Sequence, residues 1–168
     1  MRVIGALLSL VCVTLGVLQV YVAGQRHSEE FAAARGVSKG ILSYEFAASP
    51  ARLRELIAAA GDRGREALKR CLEIDYLIIA GYLFVAIGLG GLLTAVSRAG
   101  LGRFVILAGL LAAMFDLIEN AALRQATQAH PSGGSTAPIA TVAASLKFAL
   151  LTATVAAFLL WPFRTWFG

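Results

Sequence analysis

Four polar side chains stand where an otherwise apolar sequence gives no reason for them. Asp116, Glu119 and Asn120 fall in the apolar block Phe104–Leu123, and Lys147 lies ten residues into the block Ala137–Phe163. Glu73 and Asp75, followed by Tyr76, stand at the start of a third block, Tyr76–Val96. Asp116, Glu119 and Asn120 are spaced i, i+3, i+4, which on a helix puts them on one face. Such residues support three kinds of chemistry. They can pair and hold helices in register, or they can relay a proton or an ion. Alternatively, Asp116 or Glu119 can act as a base while Lys147 holds an anionic group such as a lipid headgroup. The expected polar network is Asp75, Asp116, Glu119, Asn120, Lys147 and Tyr76, with Tyr82 as a further hydroxyl on the same segment.

No motif accompanies these residues that would select catalysis. The chain has no Cys-x-x-Cys, nucleophile elbow or P-loop, and His27 and His130 belong to no metal-ligand pattern. Lys147 would also compete with a hard cation for the carboxylates. No cofactor and no metal are therefore expected. The preferred reading is a non-enzymatic membrane protein, an accessory or interaction subunit with a buried carboxylate–lysine network. The alternatives are a membrane enzyme acting on lipid, or a subunit of a proton- or ion-coupled transporter, using the same charges.

The elements that must position these groups are legible from composition. Of 168 residues, 58% are hydrophobic and 15% charged, with a mean hydropathy of +0.75. Soluble domains run at about 45–50% apolar and 25% charged. The excess is concentrated in four blocks, Val3–Gly24, Tyr76–Val96, Phe104–Leu123 and Ala137–Phe163. Each approaches or exceeds the roughly 20 residues that carry a helix across about 30 Å of hydrocarbon. Backbone polar groups must be satisfied internally there, which selects helices, and nothing alternates as barrel strands do. The expected fold is an all-α membrane protein: one domain over residues 1–168, an antiparallel bundle of four transmembrane helices. The spans are residues 3–24, 74–96, 103–124 and 137–162, with a polar helical loop over 25–73. In that arrangement Asp75, Asp116–Asn120 and Lys147 fall in the leaflet that bears the loop.

The first block resembles a signal peptide, with Arg2 before it and Val22-x-Gly24 as a cleavage site. Its apolar run of about 22 residues exceeds the roughly 7–15 of a signal core, so it is read as a retained anchor. The loop holds nine Lys/Arg and seven Asp/Glu between Gln25 and Ile74. Ser49-Pro50 reads as a helix start, with Leu53, Leu56 and Ile57 on one face. Gly61 ends that helix and Asp62 can cap the next, whose pattern Ala67, Leu68, Cys71, Leu72 runs on into the second span. Either helix can lie among lipid headgroups or pack on the chain's own bundle. Gly100 and Gly102 mark a tight second connection, and Pro131–Ser135 a longer third one.

Arg98 and Arg103 flank the second connection, on the side of Arg2 and Arg164, while the third has no Lys or Arg after Arg124. The positive-inside rule then puts both termini in the cytoplasm, although the basic residues of the first loop oppose it. The net charge of +5 comes without a nucleic-acid motif, so no nucleic acid is expected. Cys12 and Cys71 are read as free thiols. Gly81, Gly88, Gly90 and Gly91, with Ala140, Ala144, Ala149, Ala153 and Ala157, are read as close-packing helix surfaces. Trp161 and Trp166 are read as an interfacial belt.

The segments Ile41–Ala47, Ser49-Pro50, Ile74–Leu77 and Phe115–Asn120 resemble a group of small bacterial four-helix membrane proteins of no known activity. The resemblance implies four spanning helices and a multi-pass protein of the bacterial cytoplasmic (inner) membrane. It carries over no functional residue. The partners expected are membrane lipids, and a partner membrane protein or a second copy of the chain.

Overall fold

A computed structural model describes residues 2–33, 41–96, 98–128 and 136–164 of the chain. The described residues are all-helical: α1 (Arg2–Ala33), the short α2 (Leu42–Glu45), α3 (Pro50–Ala95), α4 (Ala99–Gln128) and α5 (Ala137–Arg164). His130, the turn over 131–135, Trp166 and the side chain of Trp161 lie outside what is described. Four of the helices, all but α2, are long and apolar enough to cross a membrane.

Polarity is arranged inside out. Large apolar side chains such as Leu8, Leu15 and Leu18 on α1, Leu107 and Leu111 on α4, and Val142 and Val155 on α5 face outward. An exposed apolar surface of this extent is foreign to a water-soluble monomer. The inward faces are built from small residues. On α4 the buried stripe runs Val105, Ala108, Ala112, Asp116, Glu119 and Leu123; on α5 it runs Ala137, Ala140, Ala144 and Lys147. Both stripes keep the three-to-four-residue spacing of one helix face. The charged residues thus continue the alanine stripes and point at neighbouring helices.

Each long helix packs chiefly on its neighbour in sequence: α1 on α3, α3 on α4, and α4 on α5. Contacts between α1 and α3 rise along α3 as they fall along α1. They pass from Glu30 with Arg70 (3.5 Å) and the His27 carbonyl with the Cys71 thiol to Gln19 with the Leu77 carbonyl (3.0 Å), Gly16 with Gly81, and Ser9 with Gly88. A methyl group on Gly16 would run into the Gly81 carbonyl and the backbone of Val85, so the two backbones touch there. The small-residue surface extends less far than the sequence suggests: Ala149 and Ala153 are exposed, because α5 beyond Lys147 turns little of its surface to α4.

At the loop end the architecture changes to an ordinary apolar core. Tyr44, Ala47, Leu53, Ile57, Leu68, Leu72, Ala122, Leu123, Ala137 and Ala140 are buried against one another. Leu53 and Leu72 are nineteen residues apart, which on a straight helix is about 28 Å. They share this core because α3 folds back at Gly61, whose φ of 63° and ψ of −170° are non-helical. Ser49 caps the start of α3, its Oγ accepting from the Arg52 amide at 3.2 Å. The amphipathic helix expected from the Ser49-Pro50 start thus packs on its own chain.

Candidate functional site

Beneath that core lies a cluster of charge. Lys147 reaches from α5 to carboxylates on two other elements. Its Nζ donates to Asp116 Oδ1 at 3.0 Å and lies 2.7 Å from Glu119 Oε2 and 3.8 Å from Glu45 Oε1. None of these four side chains is more than 7% exposed. The contact with Glu119 is a close charge pair whose angle is poor for a hydrogen bond. The ammonium also lies 4.8 Å from the centre of the Phe148 ring, which adds a cation–π attraction.

Helix α3 supplies the third wall. Tyr82 donates its hydroxyl hydrogen to Asp116 Oδ2 at 3.1 Å, so both oxygens of that carboxylate are held. Asp75 lies beside Asn120, whose buried amide nitrogen has no hydrogen-bond partner. Of the residues singled out from sequence, Asp75, Asp116, Glu119, Asn120 and Lys147 lie around this centre. Tyr76 is turned to the exterior at 39% exposure, and Tyr82, almost two turns further along, is the tyrosine that enters the cluster. A hydroxyl at position 82 shares a face with Asp75, seven residues earlier, whereas position 76 is rotated about 100° from it.

Glu45 is the member that sequence reasoning missed as a site residue. It arrives from α2, in a polar segment where a carboxylate needs no explanation. The signal was its setting in Ile41-Leu42-Ser43-Tyr44-Glu45-Phe46-Ala47, more apolar than the rest of the loop. Three contacts seat this segment. Thr141 Oγ1 donates to the Glu45 carbonyl and accepts from the Ala48 amide, each at 3.0 Å. The Phe46 and Phe148 rings stack with centroids 5.9 Å apart. Tyr44 and Ala47 are buried in the apolar core above. The short α2 is therefore a lid over the charges, latched at Thr141.

The electrostatics of the lid are strained. Burial pushes the Glu45 carboxyl above the ordinary glutamate range, and Lys147 pulls against it. Glu45 Oε2 and Glu119 Oε1 are buried without a hydrogen-bond donor. A buried acceptor left unpaired costs on the order of 1–3 kcal/mol. A separate groove of about 330 Å³ between α4 and α5 is lined by Phe115, Ile118, Pro138, Ile139, Val142, Ala143 and Leu146, and includes none of the charged groups. Among the described residues no group of three or more His, Cys, Asp or Glu side chains is arranged to hold a metal ion.

The chain matches no protein-family model, no curated protein and no solved structure. The described residues are all-helical, with four helices apolar enough to span a membrane and a buried lysine–carboxylate network between them.

Proposed function

We propose that the chain is a small multi-pass protein of a bacterial inner membrane, an antiparallel four-helix bundle with both termini in the cytoplasm. It acts without catalysis, as an accessory or interaction subunit, and its buried charges are a clamp. One observation carries this reading: Lys147 joins α5 to α4 and to the loop lid α2, with every charged side chain of the joint enclosed. Ionisable groups in a bilayer are tolerated when they face neighbouring helices and find partners there, and these do. An enzyme acting on lipid would keep an open path to such groups, whereas the apolar groove excludes them. The outward apolar faces are for lipid and for a partner membrane helix or a second copy of the chain.

The test is a double-mutant cycle on the full chain in nanodiscs, followed by unfolding. Lys147→Met leaves buried carboxylates without their cation and should lower stability by about 3–5 kcal/mol. Adding Asp116→Asn should recover part of that loss, since the two residues are coupled. Single variants as stable as the native chain would refute the clamp. So would new lipid products, seen by mass spectrometry, after the native chain is incubated with bilayer lipid.

A further inference from the structure

Around Lys147 the acids outnumber the base. Glu45, Asp116 and Glu119 all reach one ammonium, and Asp75 adds its charge nearby. Glu45 and Glu119 each turn one oxygen to Lys147, and each keeps a buried oxygen with no donor. The two carboxyl groups thus converge on one ammonium, Glu119 Oε2 at 2.7 Å and Glu45 Oε1 at 3.8 Å from it. Ionised carboxylates only accept hydrogen bonds, so a facing pair repels and leaves both oxygens unpaired. A single proton turns one of them into a donor, and both unpaired oxygens are satisfied together.

We infer that Glu45 and Glu119 form a proton-binding dyad that shares one proton in the seated state of α2, so that the lid is held closed with the proton and loosens when it is lost. This rests on the clamp reading, since it takes Lys147 and its carboxylates as the seat of the lid. No covalent bond is made or broken beyond the O–H bond, and the proton comes from water and returns to it. The dyad is faced by Lys147 on α5, Asp116 on α4 and Asp75 on α3. Lys147 favours ionisation, and the two aspartates oppose it. On Glu45 burial dominates and raises its affinity for the proton in the seated lid. Its contribution to seating is therefore complete below the ordinary glutamate range and is lost as pH rises through the higher, seated value. Thr141 and the Phe46–Phe148 stack do not titrate, so they set a floor of seating that persists at high pH.

The experiment uses the full chain in nanodiscs, with infrared absorption to detect a protonated carboxyl and hydrogen exchange at the Ala48 amide to report the lid. At neutral pH one carboxylic-acid C=O band is expected. It should vanish in Glu45→Gln and in Glu119→Gln, and remain in Glu55→Gln, whose side chain is exposed and paired with Arg52. Ala48 protection, corrected for the intrinsic pH dependence of exchange, should fall by about tenfold or more as the band is titrated away. In Glu45→Gln that protection should no longer change with pH. Absence of the band at neutral pH overturns the inference, as does a band that survives both glutamine variants. Protection that ignores the band's loss overturns the coupling to the lid. These failures are separate from failure of the clamp, which is read from the stability of Lys147→Met alone.

Discussion

Tyr82 donates to Asp116 Oδ2 at 3.1 Å while Lys147 holds the other oxygen of the same carboxylate at 3.0 Å. The aspartate is thereby fixed by two helices at once, and its geometry depends on both. Tyr82→Phe removes a hydrogen bond to a charged group and should lower stability by about 1.5–3 kcal/mol. Tyr76→Phe, on the exposed face, should stay within about 0.5 kcal/mol of the native chain. Unfolding of the two variants in nanodiscs checks the contrast, and equal effects would remove Tyr82 from the network.

Gly61 carries the fold-back of α3. Its φ of 63° and ψ of −170° lie where only glycine is comfortable, and no neighbour stands within 4 Å of where a Cβ would project. Gly61→Ala therefore tests backbone strain without a steric clash, and should cost on the order of 1–3 kcal/mol. Leu53→Ala should cost a further 2–5 kcal/mol, because Leu53 is buried only if the fold-back forms. A Gly61→Ala variant as stable as the native chain would show that the bend is not held.

These residues also show what could be read without a structure. Hydropathy alone located the four long helices, and Ser49-Pro50 with Gly61 located the extra one, since caps and breakers act locally. Lys147 and Asp116 could be placed at similar depth by counting turns from the ends of their blocks. Their 3.0 Å contact could not be read, because it depends on how α4 and α5 are rotated against each other. Glu45 stayed hidden for a different reason. Its importance comes from a tertiary contact made by a loop, and Thr141 is 96 residues away from it in sequence. The choice between Tyr76 and Tyr82 turned on helix rotation, for which the later alignment of Tyr82 with Asp75 was the available clue.

The contact between α1 and α3 can be trapped covalently. A Cβ at position 91 would stand 3.4 Å from Ser9 Cβ, at the short edge of the roughly 3.5–4.5 Å found across disulfides. Ser9→Cys with Gly91→Cys, in a chain with Cys12 and Cys71 replaced by Ala, should therefore cross-link on mild oxidation. Adding Gly81→Leu should abolish the cross-link, since even a Cβ there meets Val20 Cγ2 at 2.7 Å. Cross-linking that survives the leucine would place the two helices otherwise.

Thr141 is the latch of α2, and its hydroxyl serves a carbonyl and an amide together. Thr141→Val keeps the volume and removes both bonds, at a cost of about 1–3 kcal/mol for the groups left unpaired. Hydrogen exchange at Ala48 should accelerate while amides in the middle of α4 keep their protection. Uniform acceleration across the chain would mean that the valine variant loosens the whole fold.

The stripe that aligns Asp116 and Glu119 with Lys147 has a consequence for synthesis. The ribosome delivers both acids before the lysine, so a nascent chain ending after α4 carries Asp116 and Glu119 without the cation that pairs with them in the folded chain. Each such charge costs roughly 2.5–3.5 kcal/mol at the middle of a lone inserting helix. In a chain that spans the bilayer, the two segments are then expected to enter it as a hairpin, with α4 held at the exit until α5 arrives to neutralise its acids. The lysine would in this sense act as a completion signal, read once during the making of each molecule.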